Sequence, residues 1–187
     1  DVRATPVFFE RMQKATRLLE GNTPPYLRTH PLTNERIADM ANRVRLEADL
    51  RQAVTHGDIE VVYQPLFHIG SGLMLGFEAL SRWNHPSLGP ISPTVFIPMA
   101  EEAGFIVELT DHVMPRACAQ VRQWQQRGGL HAQLKLQVNL SGADLAHTEL
   151  YERVERVLRS TGFTPQLLTF ELTENILMKS VEGAIST

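Results

Sequence analysis

The feature that most constrains the fold is a change of hydrophobic period at residue 59. Before it, apolar residues recur at helical spacing. After it, four short segments, 59–69, 73–83, 134–141 and 167–174, read as strands and alternate with longer stretches of helical character. Gly70-Ser71-Gly72 separates the first two, which predicts a tight hairpin and an antiparallel pair. The later strands are separated by whole helices, as parallel βα units require. The chain is therefore expected to be α/β.

Punctuation places the helices. Ser92 is a candidate N-cap with Pro93 at the first helical position, and Gly104 closes that helix. A second helix is expected from about Thr110 to Arg127, stopped by Gly128-Gly129. Pro115 falls early in it and predicts a kink or a delayed start. A third helix is expected over 148–160.

Upstream, residues 5–20 form an amphipathic pattern on Phe8, Phe9, Met12, Ala15, Leu18 and Leu19, followed by a Gly/Pro-rich loop over 21–32. Thr33 is the expected cap of a further helix striped by Ile37, Met40, Ala41 and Val44. The stripe then changes face, to Leu46, Leu50, Ala53 and Val54. One helix burying two faces produces this pattern, and so does a join between unrelated segments near 43–45.

Composition narrows the classes. With 43% apolar and 21% charged residues, the chain is ordinary for a soluble globular protein. A net charge of −3 gives no general attraction to a nucleic-acid polymer. Cys118 is the single cysteine, which excludes an internal disulfide and a cysteine-based metal site. No apolar run is long enough to span a bilayer, and the N-terminus lacks the pattern of a signal peptide. Starting without Met, the chain reads as a fragment or a processed product.

Each later strand has one apolar and one mixed face. In 134–141, Lys135, Gln137, Asn139 and Ser141 lie opposite Leu134, Leu136, Val138 and Leu140. Glu78 shares a face with Gly76, Leu80 and Arg82, and Glu171 with Thr169 and Thr173. Glu78, Asn139 and Glu171 thus place oxygen donors near the C-terminal ends of three strands, where α/β folds build sites. Such donors, without His or Cys, suit a hard ion such as Mg²⁺ or Mn²⁺. Blander readings stand beside this one. A strand Glu commonly pairs with an Arg or faces water, Asn139 alone could be a satisfied amide, and Glu174 could cap the next helix.

The segments YQPLF, FEALSRWNHP, ISPTVFIPMAEEAGFI, LQVNLS and FELTEN occur in this order over residues 45–187. Together they strongly resemble the EAL-domain family, which hydrolyses the bacterial second messenger cyclic di-GMP to linear pGpG. The resemblance implies a TIM-like (β/α) barrel with an antiparallel first strand, of which residues 44–187 would supply about the first four strands. It implies a two-ion Mg²⁺ or Mn²⁺ site drawing on Glu78, Asn139 and Glu171, with Glu174 supporting a metal-site loop. It further implies that Arg82 holds a substrate phosphate, that Gln64 and Pro98 lie near the nucleotide, and that the location is cytoplasmic. The family's later Asp pair, Lys and catalytic Glu have no counterpart here, so the chain by itself is expected to show little or no catalysis. Its unclosed sheet could pair with a second copy as a homodimer. The alternative is a degenerate module that binds nucleotide or a protein partner without hydrolysis.

Residues 1–43 read as a separate helical segment. YLRTHPLTNERI, at 26–37, resembles the periplasmic zinc metallopeptidases related to the β-barrel-assembly-enhancing protease. His30 matches a loop histidine of that family, but with no other ligand nearby in sequence it reads as a plain loop residue. The two resemblances imply opposite sides of a membrane, which points to a fusion of fragments.

Overall fold

The computed structural model describes residues 34–172, with side chains from residue 39 onward except that of Leu130. The expected 5–20 helix, the 21–32 loop, His30, Thr33 and Glu174 lie outside that range. The chain divides between Leu50 and Arg51, inside helix α1 (Asn34–His56), and each unit is taken by itself. The helix runs without interruption through 43–45. Its buried positions are Leu50, Ala53 and Val54, on the later of the two stripes, while Met40 is exposed.

From residue 59 the expected sheet forms. Strands β1 (Ile59–Phe67) and β2 (Met74–His85) pair antiparallel, with Ile59 opposite Trp83 and Gln64 opposite Glu78. The connecting turn closes through two bonds: the His68 N–H donates to the Leu73 carbonyl and the Gly72 N–H to the His68 carbonyl, both at 2.8 Å. Strand β4 (Lys135–Leu140) lies parallel to β2, and β5 (Leu168–Leu172) parallel to β4. The order is β1-β2-β4-β5, with β3 (Gly89–Ile91) attached antiparallel to the end of β2. Three residues are too few to show a period, so β3 left no trace in the sequence pattern.

The β2-to-β4 crossover contains α2 (Pro93–Glu102) and α3 (Ile106–Gln125). Ser92 caps α2 by accepting from the Thr94 N–H at 3.3 Å, and Gly104 follows its end with φ +74°. Helix α3 starts four residues before the expected Thr110, and Pro115 sits well inside it, so the expected delay does not occur. The reason is burial: Phe105, Ile106 and Leu109 are all nearly inaccessible. Each such side chain contributes roughly 1.5–3 kcal/mol, enough to hold the first turn ahead of a proline. After β4 come α4 (Gly142–Ala146) and α5 (Leu150–Thr161), the latter near its expected place.

The helices cover one face of the sheet. Leu136, Val138 and Leu140 of β4 and Ala79 and Trp83 of β2 are buried there, as are Val113, Met114, Ala117, Cys118 and Val121 of α3. Tyr63 meets Phe77 and Trp124 edge to face, the latter at 4.9 Å between centroids, and Phe77 and Trp124 pack tilted at 4.7 Å. Burial pushes the Cys118 thiol up to about 12, so it stays protonated and behaves as a small apolar side chain.

His112 ties α3 to the start of β1. Its Nε2–H donates to the Ile59 carbonyl at 2.8 Å. Burial pulls its pKa below the ordinary 6.5, with Arg116 adding repulsion, while the bond to Ile59 and the charge of Asp58 only partly offset this. The unfolded chain therefore takes up this proton first. Stability is full above the unfolded pKa and falls as pH drops through about 6.5 toward the lower folded value. Urea midpoints at pH 7.5 and 5.5 should show this loss, and His112→Gln should flatten it. An equal slope in the variant would assign the loss to other groups.

Candidate functional site

The second face of the sheet carries the polar residues, because the strand period sends alternate side chains away from the helices. Gln64, Glu78, Gln137 and Thr169 form one row across β1, β2, β4 and β5. Asn139 and Glu171 pair in register one step further along. Near the C-terminal end of β4, the Asn139 Nδ2–H donates at 2.8 Å to Oε1 of Glu78. Glu78 lies mid-strand in β2, where the β2–β4 pairing closes, and not near the strand end as expected from the sequence. Since a carboxylate only accepts, this contact fixes the amide nitrogen toward Glu78 and leaves Asn139 Oδ1 as an oxygen donor.

Of the residues singled out from the sequence, Glu78 and Asn139 are in direct contact. Glu171 lies beside Asn139 on the neighbouring strand but accepts from the Gln137 Nε2–H. Gln64 is exposed and faces Glu78 across the antiparallel pair. Arg82 is half-buried, with Nη1 donating to the Ser81 carbonyl at 2.8 Å. Its guanidinium carries further N–H groups beyond that bond. Pro98 lies exposed within α2. A cavity of about 280 Å³ opens at this end of the sheet and is lined by Arg82, Glu101, Asn139 and Ser141 among mostly apolar neighbours.

Two features escaped the sequence reading. Gln137 lies on the mixed face and reaches Glu171 diagonally, since the register sets Thr169 opposite Gln137 and Glu171 opposite Asn139. Ser141 is not a fourth residue of that face. It is buried past the strand end and caps α4, whose Asp144 completes a capping box. The spacing Ser-x-x-Asp at 141–144 was the available signal.

Among the described residues no group of three or more His, Cys, Asp or Glu gathers as an all-protein cage. Mg²⁺ and its mimics do not need one. They keep several waters and use one or two carboxylates together with substrate phosphates. Two carboxylates and an amide oxygen on adjacent strands fit that chemistry. Among the described residues no helix is long and apolar enough to cross a membrane.

The family model described as "EAL domain" matches residues 47–185. An uncharacterized signaling protein of Caulobacter vibrioides is 42% identical over 143 residues, covering 76% of this chain and 17% of that protein. The bifunctional diguanylate cyclase/cyclic di-GMP phosphodiesterase MucR of Pseudomonas aeruginosa is 36% identical over 148 residues, covering 79% of this chain and 21% of that protein. The chain thus spans about a fifth of the length of these curated relatives. A solved MucR phosphodiesterase in complex with c-di-GMP superposes with a TM-score of 0.68 at 38% identity, covering 74% of this chain and 56% of that one. The FimX EAL domain of Pseudomonas aeruginosa bound to c-di-GMP has a TM-score of 0.61 at 24% identity, covers 72% of this chain and 52% of that one, and supports the fold alone.

Proposed function

This chain belongs to the EAL domain family, and from that premise we propose that residues 44–187 are part of a cyclic-di-GMP phosphodiesterase domain. The observation that carries the reading is the 2.8 Å contact between Asn139 and Glu78, beside Arg82 on β2 and in register with Glu171. Arg82 would hold a phosphodiester, since a guanidinium can present two parallel N–H donors to phosphate oxygens. Gln64 and Pro98 would flank the nucleotide. Glu78, Asn139 Oδ1 and Glu171 would hold Mg²⁺ or Mn²⁺, with Glu174 supporting them from beyond the described residues. When bound, such an ion polarises the phosphodiester and makes its water more acidic. Asn139 would keep Glu78 aimed, and the apolar walls of the cavity would limit water around the phosphate.

The 187-residue chain is expected to bind cyclic di-GMP and to yield little or no linear pGpG by itself. Calorimetric titration tests the first statement and chromatography of the products the second. Arg82→Ala should weaken nucleotide binding by roughly 2 kcal/mol, about 30-fold, as a charge-assisted bidentate contact would. Unchanged affinity in Arg82→Ala would refute its assigned role. Binding that persists in Glu78→Ala, with no turnover under any divalent ion, would favour the alternative of a binding module. Sedimentation would show whether two copies associate.

Residues 1–43 remain, in this reading, a segment of different origin, similar to a periplasmic zinc metallopeptidase. Mass spectrometry of the native protein tests the join. A peptide spanning Arg36 to Glu47 in the source cells would establish one polypeptide, and reproducible failure to find it beside abundant peptides from 47–172 would mark the join as artefactual.

A further inference from the structure

Under the C-terminal end of β4, a buried charged network ties the strand end to two helices. Asp144 is 0% exposed and Arg153 only 5%. Asp144 Oδ2 accepts from the Ser141 N–H at 3.0 Å, the Ser141 hydroxyl at 2.7 Å and the Thr110 hydroxyl of α3 at 2.9 Å. From α5, Arg153 Nη2 reaches Asp144 Oδ1 at 3.5 Å, Asp111 Oδ1 at 2.7 Å and the Val107 carbonyl at 3.2 Å. Its Nη1 has no acceptor among the described residues.

Stability alone does not account for this arrangement. A buried ion pair commonly loses in desolvation what it gains in attraction, and apolar side chains of the same volume do as well or better. A buried N–H without an acceptor costs about 1–3 kcal/mol more. What the network supplies is direction. It pins Ser141 in its capping geometry, and Ser141 is two residues from Asn139. Ser141 and Thr110 also line the cavity that Arg82 and Asn139 share. Apolar replacements would fill the space without setting the backbone at the strand end.

We infer that Asp144 and Arg153 are positioning residues, which hold the end of β4 so that Asn139 is aimed at Glu78 and at the bound ligand. The inference deepens, and rests on, the reading of this face as a cyclic-di-GMP site.

The test uses the whole chain, ¹⁵N-labelled, as wild type, Thr110→Val, Asp144→Asn and the double variant Asp144→Leu/Arg153→Met. Three quantities are read: the melting temperature, the side-chain amide resonances of Asn139, and the affinity for cyclic di-GMP. The double variant leaves the Ser141 N–H without its carboxylate acceptor, so it is expected to stay folded but melt below wild type. Its Asn139 resonances should lose their hydrogen-bonded shift, and its affinity should fall roughly 10-fold, the usual effect of removing an outer partner of a ligand-holding residue. Thr110→Val and Asp144→Asn should move both readouts the same way by less. Folded variants that keep wild-type resonances and affinity would overturn the inference. If the double variant fails to fold, the two single variants decide by the same criteria. If wild type binds no cyclic di-GMP, the functional reading fails, and the Asn139 resonances alone decide the positioning role.

Discussion

Gly76→Ala is expected to lower the melting temperature of the protein strongly. A Cβ built on Gly76 would lie 2.1 Å from the Lys135 carbonyl oxygen and 2.6 Å from both the carbonyl carbon and the amide nitrogen of that residue. Real Cβ atoms do not approach so closely, and the atoms in the way are backbone, not the movable end of a side chain. They are also the first rung of the parallel β2–β4 ladder, where Gly76 pairs with Lys135. Relief requires β2 and β4 to separate at that rung, which disturbs the buried Leu136 beside it. Overpacking in a well-filled core costs about 1–3 kcal/mol, and a clash with paired backbone belongs at or above the top of that range. Small domains hold only about 5–15 kcal/mol in reserve. Thermal unfolding followed by circular dichroism would show the transition moved to much lower temperature. A Gly76→Ala variant that melts within a few degrees of wild type would mean that the two strands do not approach as described.

Glu78→Gln should have the opposite profile, with stability kept and ion binding lost. The substituted amide offers a carbonyl oxygen where Glu78 Oε1 accepts from Asn139, so the 2.8 Å contact can persist. It also removes a half-buried carboxylate, whose desolvation the fold otherwise bears. What would disappear, if Glu78 holds the ion as proposed, is the full negative charge that faces the cation. Losing one member of a desolvated charge pair costs roughly 2–5 kcal/mol, so Mn²⁺ affinity should fall by about 30-fold or more. Paramagnetic titration of free Mn²⁺ reads this directly, without any need for turnover. Equal Mn²⁺ affinity in the variant would remove Glu78 from the ion site. A large drop in melting temperature would instead make Glu78 a structural residue.

The two substitutions also mark how far the sequence could be read. That Glu78, Asn139 and Glu171 share the polar face was legible because strand alternation fixes which residues lie together, although Glu78 sits mid-strand in β2 and only Asn139 and Glu171 lie near strand ends. That pattern could not say which polar groups meet. Register sets Glu171 opposite Asn139, yet its hydrogen-bond partner is the diagonal neighbour Gln137, which only the side-chain geometry shows. Pro115 misled for a related reason. Local propensity argued for a late helix start, whereas buried Phe105 and Ile106 anchor an earlier one.

The sequence by itself determined the order of the four longer strands and the long helices between them, the antiparallel first pair, the candidate donors and the family. These depend on period, on turn chemistry and on short motifs, all local along the chain. Only the tertiary structure decided that Asn139 donates to Glu78, that Gly76 lies against the Lys135 backbone, and that Asp144 joins Thr110 to Arg153 under the strand end. Those contacts join residues far apart in the chain. They depend on ångström-scale register and on the desolvation of particular groups, which no local pattern encodes.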